Sequence, residues 1–373
     1  MTSGAERVGG TQLPELTSLR FFAALAVVLH HVAEMTGQTP FMAFCDAFGW
    51  LGVTFFFVLS GFVLMWAFDP QITAAQFLIR RLTRVYPLHL FTLLCALMLY
   101  RIYHTPIGGY RGTEAGTLAS ALLVHDWIPL HPEIRQAWNG VSWSLSAEFF
   151  FYICAPILLP VIAARSGMVF AKTALLLWLG LGTLICVAYA HGWAAILDFC
   201  LYHPVPRFFE FFLGALGARW LQQGFQPPPL SLALLVMIAP VTFYYNVAGA
   251  GHTCSDLMNL LFIPGSLLLI LAVAASSRAG GIKILRSPWL VTLGEASFAL
   301  YMVHALLLGV FVHTVLARMV SEYHATQPEL SDSNLLYVAA AIMLSIAVHF
   351  WVESPARRLL MRRVMAPVFA EAR

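Results

Sequence analysis

The sequence predicts an all-α integral membrane protein of about ten transmembrane helices in one bundle, and three observations carry that prediction. Only 10% of the 373 residues are charged, while 60% are hydrophobic and the mean hydropathy is +0.78; soluble domains carry about 25% charged residues. The apolar residues fall in unbroken runs, not in the alternating pattern of a membrane β-barrel. The basic residues between those runs are distributed asymmetrically, as the positive-inside rule expects of a helical bundle.

Ten runs are long enough to span, at about 16–35, 49–68, 86–103, 142–162, 168–190, 206–222, 230–247, 257–276, 292–317 and 334–353. With the N-terminus in the cytoplasm, the inner side holds Arg7, Arg80, Arg81, Arg84, Arg165, Lys172, Arg219, Arg278, Lys283, Arg286, Arg357, Arg358, Arg362, Arg363 and Arg373. The outer loops keep Arg101, Arg111, Arg135 and Arg318, and Arg20 and Arg207 lie in or at the edge of helices. That bias predicts an even number of spans and both termini in the cytoplasm. The polar first fifteen residues lead into an apolar run without a small-residue cleavage site, so the first span reads as a retained helix. Residues 1–373 read as a single membrane domain, with one long outer loop at about 104–141 and a short basic cytoplasmic tail at 357–373. Loops of that length are often functional, and a lid of short surface helices is the equally weighted reading. Gln226 and Pro227 to Pro229 make a stiff connection between the sixth and seventh runs. The net charge of +3 gives no footprint for nucleic acid. Most of the six cysteines fall in apolar runs as small packing residues. Cys45, Cys200 and Cys254 fall on one side, and their spacing assigns no disulfide.

The first run places Arg20 and His31 eleven helical steps apart, roughly 16 Å along the axis and about half of a bilayer's hydrocarbon core. Ionisable residues inside a span are costly and mark function by default. This helix therefore reads as the wall of a path through the membrane, with His31 near its outer end at the point of chemistry. In the second run, Gly49, Gly52, Ser60 and Gly61 read mainly as a close-packing face. Arg80, Arg81 and Arg84 satisfy topology, and they also suit an anion, because guanidinium forks match phosphate oxygens. Trp143-Ser144-Leu145-Ser146-Ala147-Glu148 opens the fourth run from the outer side, so Glu148 is expected about one turn in, near the level of His31. Arg207 and Glu210 are three apart on one helix face and read as a local ion pair. His304 reads as a buried polar anchor or the partner of a carboxylate, and Glu353 as structural.

Taken together these stretches resemble the acyltransferase-3 family of multi-spanning membrane acyltransferases over nearly the whole chain and in the same order. Arg20 and His31 match its arginine, ten residues, histidine signature. Phe48 to Phe62 resembles its second-helix motif, Arg80 to Pro87 its arginine-rich stretch, and Trp143 to Glu148 its Trp-Ser-Leu-Ser-x-Glu motif. Arg207 to Gly214 and Gly294 to His304 resemble the later motifs. Phe21 stands where many members carry glycine, and Glu295 where a small residue is common. The resemblance implies an acyl-CoA-dependent O-acyltransferase of the bacterial inner membrane, with acetyl as the default acyl group and a sugar hydroxyl of a surface or exopolysaccharide as acceptor, free or lipid-linked. On that reading Arg80, Arg81 and Arg84 hold the CoA nucleotide, and the pantetheine arm passes Arg20. His31 is the general base, Glu148 orients or stabilises it, and Trp143, Ser144 or Ser146 serve the oxyanion. Arg207 and His304 are further substrate-side candidates. No metal is expected, since adjacent His30 and His31 point about 100° apart on a helix. A lipid or natural-product acceptor is the alternative within the enzyme class. A transporter or flippase of a polar lipid or metabolite, and a non-catalytic assembly partner, are the alternatives outside it.

Overall fold

The computed structural model describes residues 13–36, 40–248, 254–278, 280–316 and 331–370. Among these every regular element is helical: α1 (Pro14–Thr36), α2 (Pro40–Phe48), α3 (Gly52–Trp66), α4 (Ala74–Tyr103), α5 (Glu114–Ala121), α6 (Pro132–Arg135), α7 (Trp143–Ala163), α8 (Ala171–Ala190), α9 (Ala194–Tyr202), α10 (Pro204–Gln222), α11 (Leu230–Ala248), α12 (Ser255–Arg278), α13 (Pro288–Glu295), α14 (Ser297–Phe311), α15 (Ser331–Val348) and α16 (Ser354–Ala370). Nine stretches among the described residues are long and apolar enough to cross a membrane. The expected run missing from these nine is the sixth, α10, which is long enough but carries Arg207, Glu210 and Arg219. Its first two charges are buried against each other in the bundle, so α10 is shielded from lipid by its neighbours.

Several boundaries differ from those read off the sequence. α4 begins twelve residues before the expected Tyr86, because Thr73 and Gln76 form a capping box: the Gln76 amide donates to Thr73 Oγ1 at 3.2 Å and the Thr73 amide to Gln76 Oε1 at 3.1 Å. Arg80, Arg81 and Arg84 therefore lie within the helix and not in a connection before it. The ninth run is broken at Ala296 into α13 and α14. The basic tail is a helix, joined to α15 through a π-helical turn at His349–Glu353, and it packs on α4.

Glycine sets the closest helix contacts. A Cβ on Gly61 of α3 would run into the Phe211 backbone of α10, and a Cβ on Gly214 of α10 would run into the Val58 backbone of α3. The two helices thus touch main chain to main chain, as small residues allow inside a membrane. Gly49 and Gly52 play the same part against Ala26 and Ala23 of α1. This makes the Gly52 to Trp66 helix the axis of the bundle, with α10 on one side and α1 on the other. In the 18-residue apolar window of the Phe41–Trp66 stretch 72% of the residues are buried, against 11% of Leu230–Val247 in peripheral α11.

The segment between α4 and α7 is not an open loop. It holds α5 and α6, and Tyr110 pairs with Ala137 in a parallel bridge. Asn139 Nδ2 donates to the Met302 carbonyl at 3.0 Å, pinning the segment to α14. Ser146 receives the Asp126 amide at 3.2 Å and donates to the Leu123 carbonyl at 2.8 Å. His125 is fully buried there, and burial pushes its pKa down to about 3, so its ring is neutral. These contacts form a lid across one end of the bundle, the end opposite Arg81 and Arg84. All six cysteines are free thiols, Cys45 in α2, Cys200 in α9 and Cys254 just before α12.

Candidate active site

A cavity of about 410 Å³ opens among α1, α3, α4, α7, α13, α14 and α16, with the carboxylates Glu148 and Glu295 in its lining. Arg20, Arg81, Arg84 and Arg357 line it at the arginine-rich end, and its far end reaches Ser144 and Tyr301. Four guanidiniums around one apolar-walled cleft suit an extended ligand with several negative charges at one end and a thin apolar arm. Arg80 does not line it. The helical repeat accounts for this: the lining residues of α4, Arg81, Arg84 and Val85, centre about 90° around the helix from Arg80. Arg357 was assigned by sequence to the basic tail, and the α16 helix brings it to the cavity.

Glu148 lies on this cavity and not beside His31. Its Oε1 accepts from Ser60 at 2.9 Å and from Tyr152 at 2.6 Å. Arg20 and Arg81 are both within electrostatic reach of it. Counting one helical turn from the start of α7 placed Glu148 too near the outer surface. The start of α7 is itself submerged: Val141 and Ser142 are buried under the lid. Glu148 is therefore a neighbour of Arg20, and the α1 helix carries His31 well past both.

The partner of His31 is His304. His31 Nδ1 lies 2.9 Å from the Val27 carbonyl and 3.4 Å from His304 Nε2. A carbonyl only accepts, so Nδ1 of His31 carries the hydrogen and shares it between the two acceptors. His304 Nδ1 lies 3.1 Å from the Leu300 carbonyl, which fixes its hydrogen there and leaves Nε2 as the acceptor facing His31. The lone pair of His31 is thereby confined to Nε2. His304 is held in turn: it is fully buried, and Tyr337 Oη donates to its carbonyl at 2.7 Å.

One turn before His304, Tyr301 shares a hydrogen bond with Ser144 at 2.7 Å and donates to the Val141 carbonyl at 3.0 Å. The Tyr301 ring stands 5.9 Å from that of His304 and 6.2 Å from that of Phe56. Tyr301 and Ser144 close the end of the cavity, and the His304–His31 pair lies beyond them. His31 itself is not part of the cavity lining. Tyr301 falls inside the Gly294 to His304 stretch and received no role from the sequence; its spacing of three from His304 is the signal that joins them on one helix face.

Three other sequence candidates have structural employment. Ser146 is taken up by the lid, as described, and is not available to an oxyanion. Arg207 is buried off the cavity and pairs with Glu210 at 2.9 Å. Asn259 donates to Glu210 at 3.0 Å, and Thr54 donates to Asn259. Trp143 packs edge-on against Tyr202 at 5.0 Å, and the Arg207 guanidinium lies 5.8 Å from its ring. Glu353 accepts from or pairs with His349 at 2.9 Å inside the π-helical turn. Beside His31, His30 lies 3.6 Å from Glu34 and 3.5 Å from Asp46. Their ligand-type atoms fall within 4.8 Å of one another. His30 Nδ1 donates to the Asp46 carbonyl at 2.8 Å, so this cluster holds the α1–α2 corner together by its own hydrogen bonding.

Comparison with known proteins fits this geometry. The chain is 32% identical to the acyltransferase MdmB of Streptomyces mycarofaciens over 94% of its own length and 93% of that protein. It is 25% identical to the exopolysaccharide production protein ExoZ of Rhizobium meliloti, over 85% of the chain and 93% of that protein. Identity to the peptidoglycan O-acetyltransferase OatA of Listeria monocytogenes is 23%, over 93% of the chain but 56% of that protein. No solved structure matches. The family model described as an acyltransferase domain matches residues 13–353, from the start of α1 to the π-helical turn, and the chain belongs to that acyltransferase-3 family.

Proposed function

We propose that this protein transfers an acyl group, acetyl by default, from acyl-CoA to a hydroxyl of an acceptor that reaches His31 from the lid end. The single observation that carries this reading is the cavity with four arginines at one end and Ser144 and Tyr301 at the other, backed by the His304–His31 pair. The phosphates of CoA sit among Arg20, Arg81, Arg84 and Arg357 at the cytoplasmic side of a bacterial inner membrane. The pantetheine arm extends between α3 and α7 past Glu148. The thioester reaches the Tyr301 layer, where the hydroxyls of Tyr301 and Ser144, bonded to each other and to the Val141 carbonyl, turn from that carbonyl to donate to the developing oxyanion.

The acceptor oxygen attacks the thioester carbonyl carbon, and its proton passes to His31 Nε2. The tetrahedral intermediate collapses with cleavage of the carbon–sulfur bond, and the proton leaves with the CoA thiol. His304 Nε2 and the Val27 carbonyl hold Nδ1–H throughout and so accept the imidazolium as it forms. The ring needs no metal in this scheme. ExoZ and OatA carry glycan-related names, and they support a sugar hydroxyl of an envelope or exported polysaccharide as the acceptor.

The donor site has a direct test. Arg81→Gln with Arg84→Gln is expected to raise the KM for acetyl-CoA about tenfold or more, with kcat for the saturated enzyme nearly kept. Charge-assisted guanidinium–phosphate bonds contribute about 1.5 kcal/mol or more each, and they act on binding, not on the chemical step. Steady-state kinetics in lipid nanodiscs read both constants. An unchanged KM would return these arginines to a purely topological role.

A further inference from the structure

Among the described residues, a second cavity, of about 670 Å³, lies at the lid end of α4, far from the acyl-CoA cleft. Its floor is Leu94, Leu97 and Met98, and its rim carries Arg101, His104 and Arg111. α4 has 30 residues and is about 45 Å long, the thickness of a whole bilayer with its headgroups. Arg101 is in its last turn, so the rim stands at headgroup level when the first turn of α4 stands at the other surface. Leu94 is 56% exposed and Met98 65%, which turns the floor toward lipid tails.

The rim is built to hold Arg111 in place. His104 ends α4 in the left-handed conformation, φ 56°, and sends the chain back over the helix end. Arg111 is thereby set over the Tyr100 ring at 5.3 Å. Tyr100 in turn packs against Trp138 at 5.4 Å, whose Nε1 donates to Thr117 at 2.7 Å. Tyrosine and tryptophan at this level are the usual residents of a membrane interface. Neither Arg101 nor Arg111 forms an ion pair among the described residues. Arg135, at the same end, is by contrast held by both oxygens of Asp198 at 2.9 and 3.0 Å. On the side of the membrane that the charge bias leaves poor in arginine, two guanidiniums with no ion pair among the described residues border one cavity above a lipid-facing apolar floor.

We infer that this groove binds a phosphate-bearing lipid of the lid-side leaflet, its phosphate between Arg101 and Arg111 and an acyl or prenyl chain along Leu94, Leu97 and Met98. The site is separate from the acyl-CoA cleft and does not depend on the transfer reading. Two forks suit a phosphate better than a neutral headgroup, and the apolar floor distinguishes a lipid from a free anion.

Thermal unfolding of the purified full chain in neutral detergent tests this. The additives are phosphatidylglycerol, diacylglycerol with the same chains, and inorganic phosphate. Phosphatidylglycerol is expected to raise Tm by about 5 °C, with neither of the other two doing so. Arg101→Gln with Arg111→Gln should remove most of that rise, Arg101→Lys with Arg111→Lys should keep part of it, and Arg165→Gln at the opposite end should keep it all. An equal rise in the glutamine double variant would overturn the proposal, as would an equal rise with diacylglycerol. Reproduction by inorganic phosphate alone would make this a free-anion site, and an equal loss in Arg165→Gln would show a general charge effect; either result contradicts the lipid.

Discussion

His31→Ala is expected to lower kcat for acyl transfer by about 10³-fold while leaving the KM for acetyl-CoA within twofold of wild type. The size follows from the part assigned to the ring: a positioned general base contributes about 10² to 10⁴, and a thousandfold loss is about 4 kcal/mol of transition-state stabilisation. The split between the two constants follows from geometry. His31 does not line the arginine-bearing cavity, so the donor's contacts survive its removal. An acceptor hydroxyl then has no base at the one nitrogen the surrounding carbonyl and His304 leave unprotonated. Retained turnover would remove His31 from the chemistry. A parallel loss of CoA binding would return it to a structural role, as a ring that spaces α1 from α14.

Gly214→Leu is expected to cost the fold about 3 kcal/mol or more, the upper end of the range for overpacking a well-packed interior. A Cβ there meets the Val58 carbonyl group and the Phe62 amide of α3. These are main-chain atoms of a buried helix, with no flexible side-chain end to swing aside, so α3 and α10 must separate. Separation also pulls Ser60, next to Gly61 on α3, away from Glu148. The variant should therefore show a lowered Tm and poor monodispersity in detergent, and any folded fraction should bind CoA weakly. An unaltered Tm would mean that the two helices do not pack main chain to main chain. Gly61→Leu, facing the Phe211 carbonyl from the other helix, should behave alike.

Much of this architecture is legible in the sequence because the bilayer allows so few solutions. Runs of apolar residues, the basic bias and the eleven-step spacing of Arg20 and His31 give a helical bundle with one helix carrying charge through the membrane. What residue counting does not supply is azimuth and long-range pairing. It gave Glu148 a depth measured from an assumed surface, and the lid moved that surface. It grouped Arg80 with Arg81 and Arg84, and the cavity-facing side of α4, centred near Arg81, leaves Arg80 out. The His31–His304 contact joins residues 273 positions apart, and nothing local announces it. Other features were written locally and passed over. Thr73 and Gln76 are a capping signature that starts α4 early. Ser287-Pro288 and Ser354-Pro355 mark the starts of α13 and α16, since proline suits the first turn of a helix. The three charges of α10 made it a marginal span by composition, and the structure shows them spent within the bundle at Arg207 and Glu210 and, at its last turn, on Arg219, which donates to the Ala163 carbonyl at 2.7 Å.

On the proposed function, donor and acceptor enter from opposite ends of the bundle and meet at Tyr301, His304 and His31. The most direct measurement uses sealed vesicles in which the orientation of the protein is fixed and known. Acetyl-CoA with a labelled acetyl group is supplied on one side only, and an envelope polysaccharide extract on the other. Labelled polysaccharide and free CoA should appear only when acetyl-CoA is on the side that bears Arg81, Arg84 and Arg357, with CoA released on that same side. Equal transfer when both substrates share one compartment, or transfer with the sides exchanged, would contradict the account.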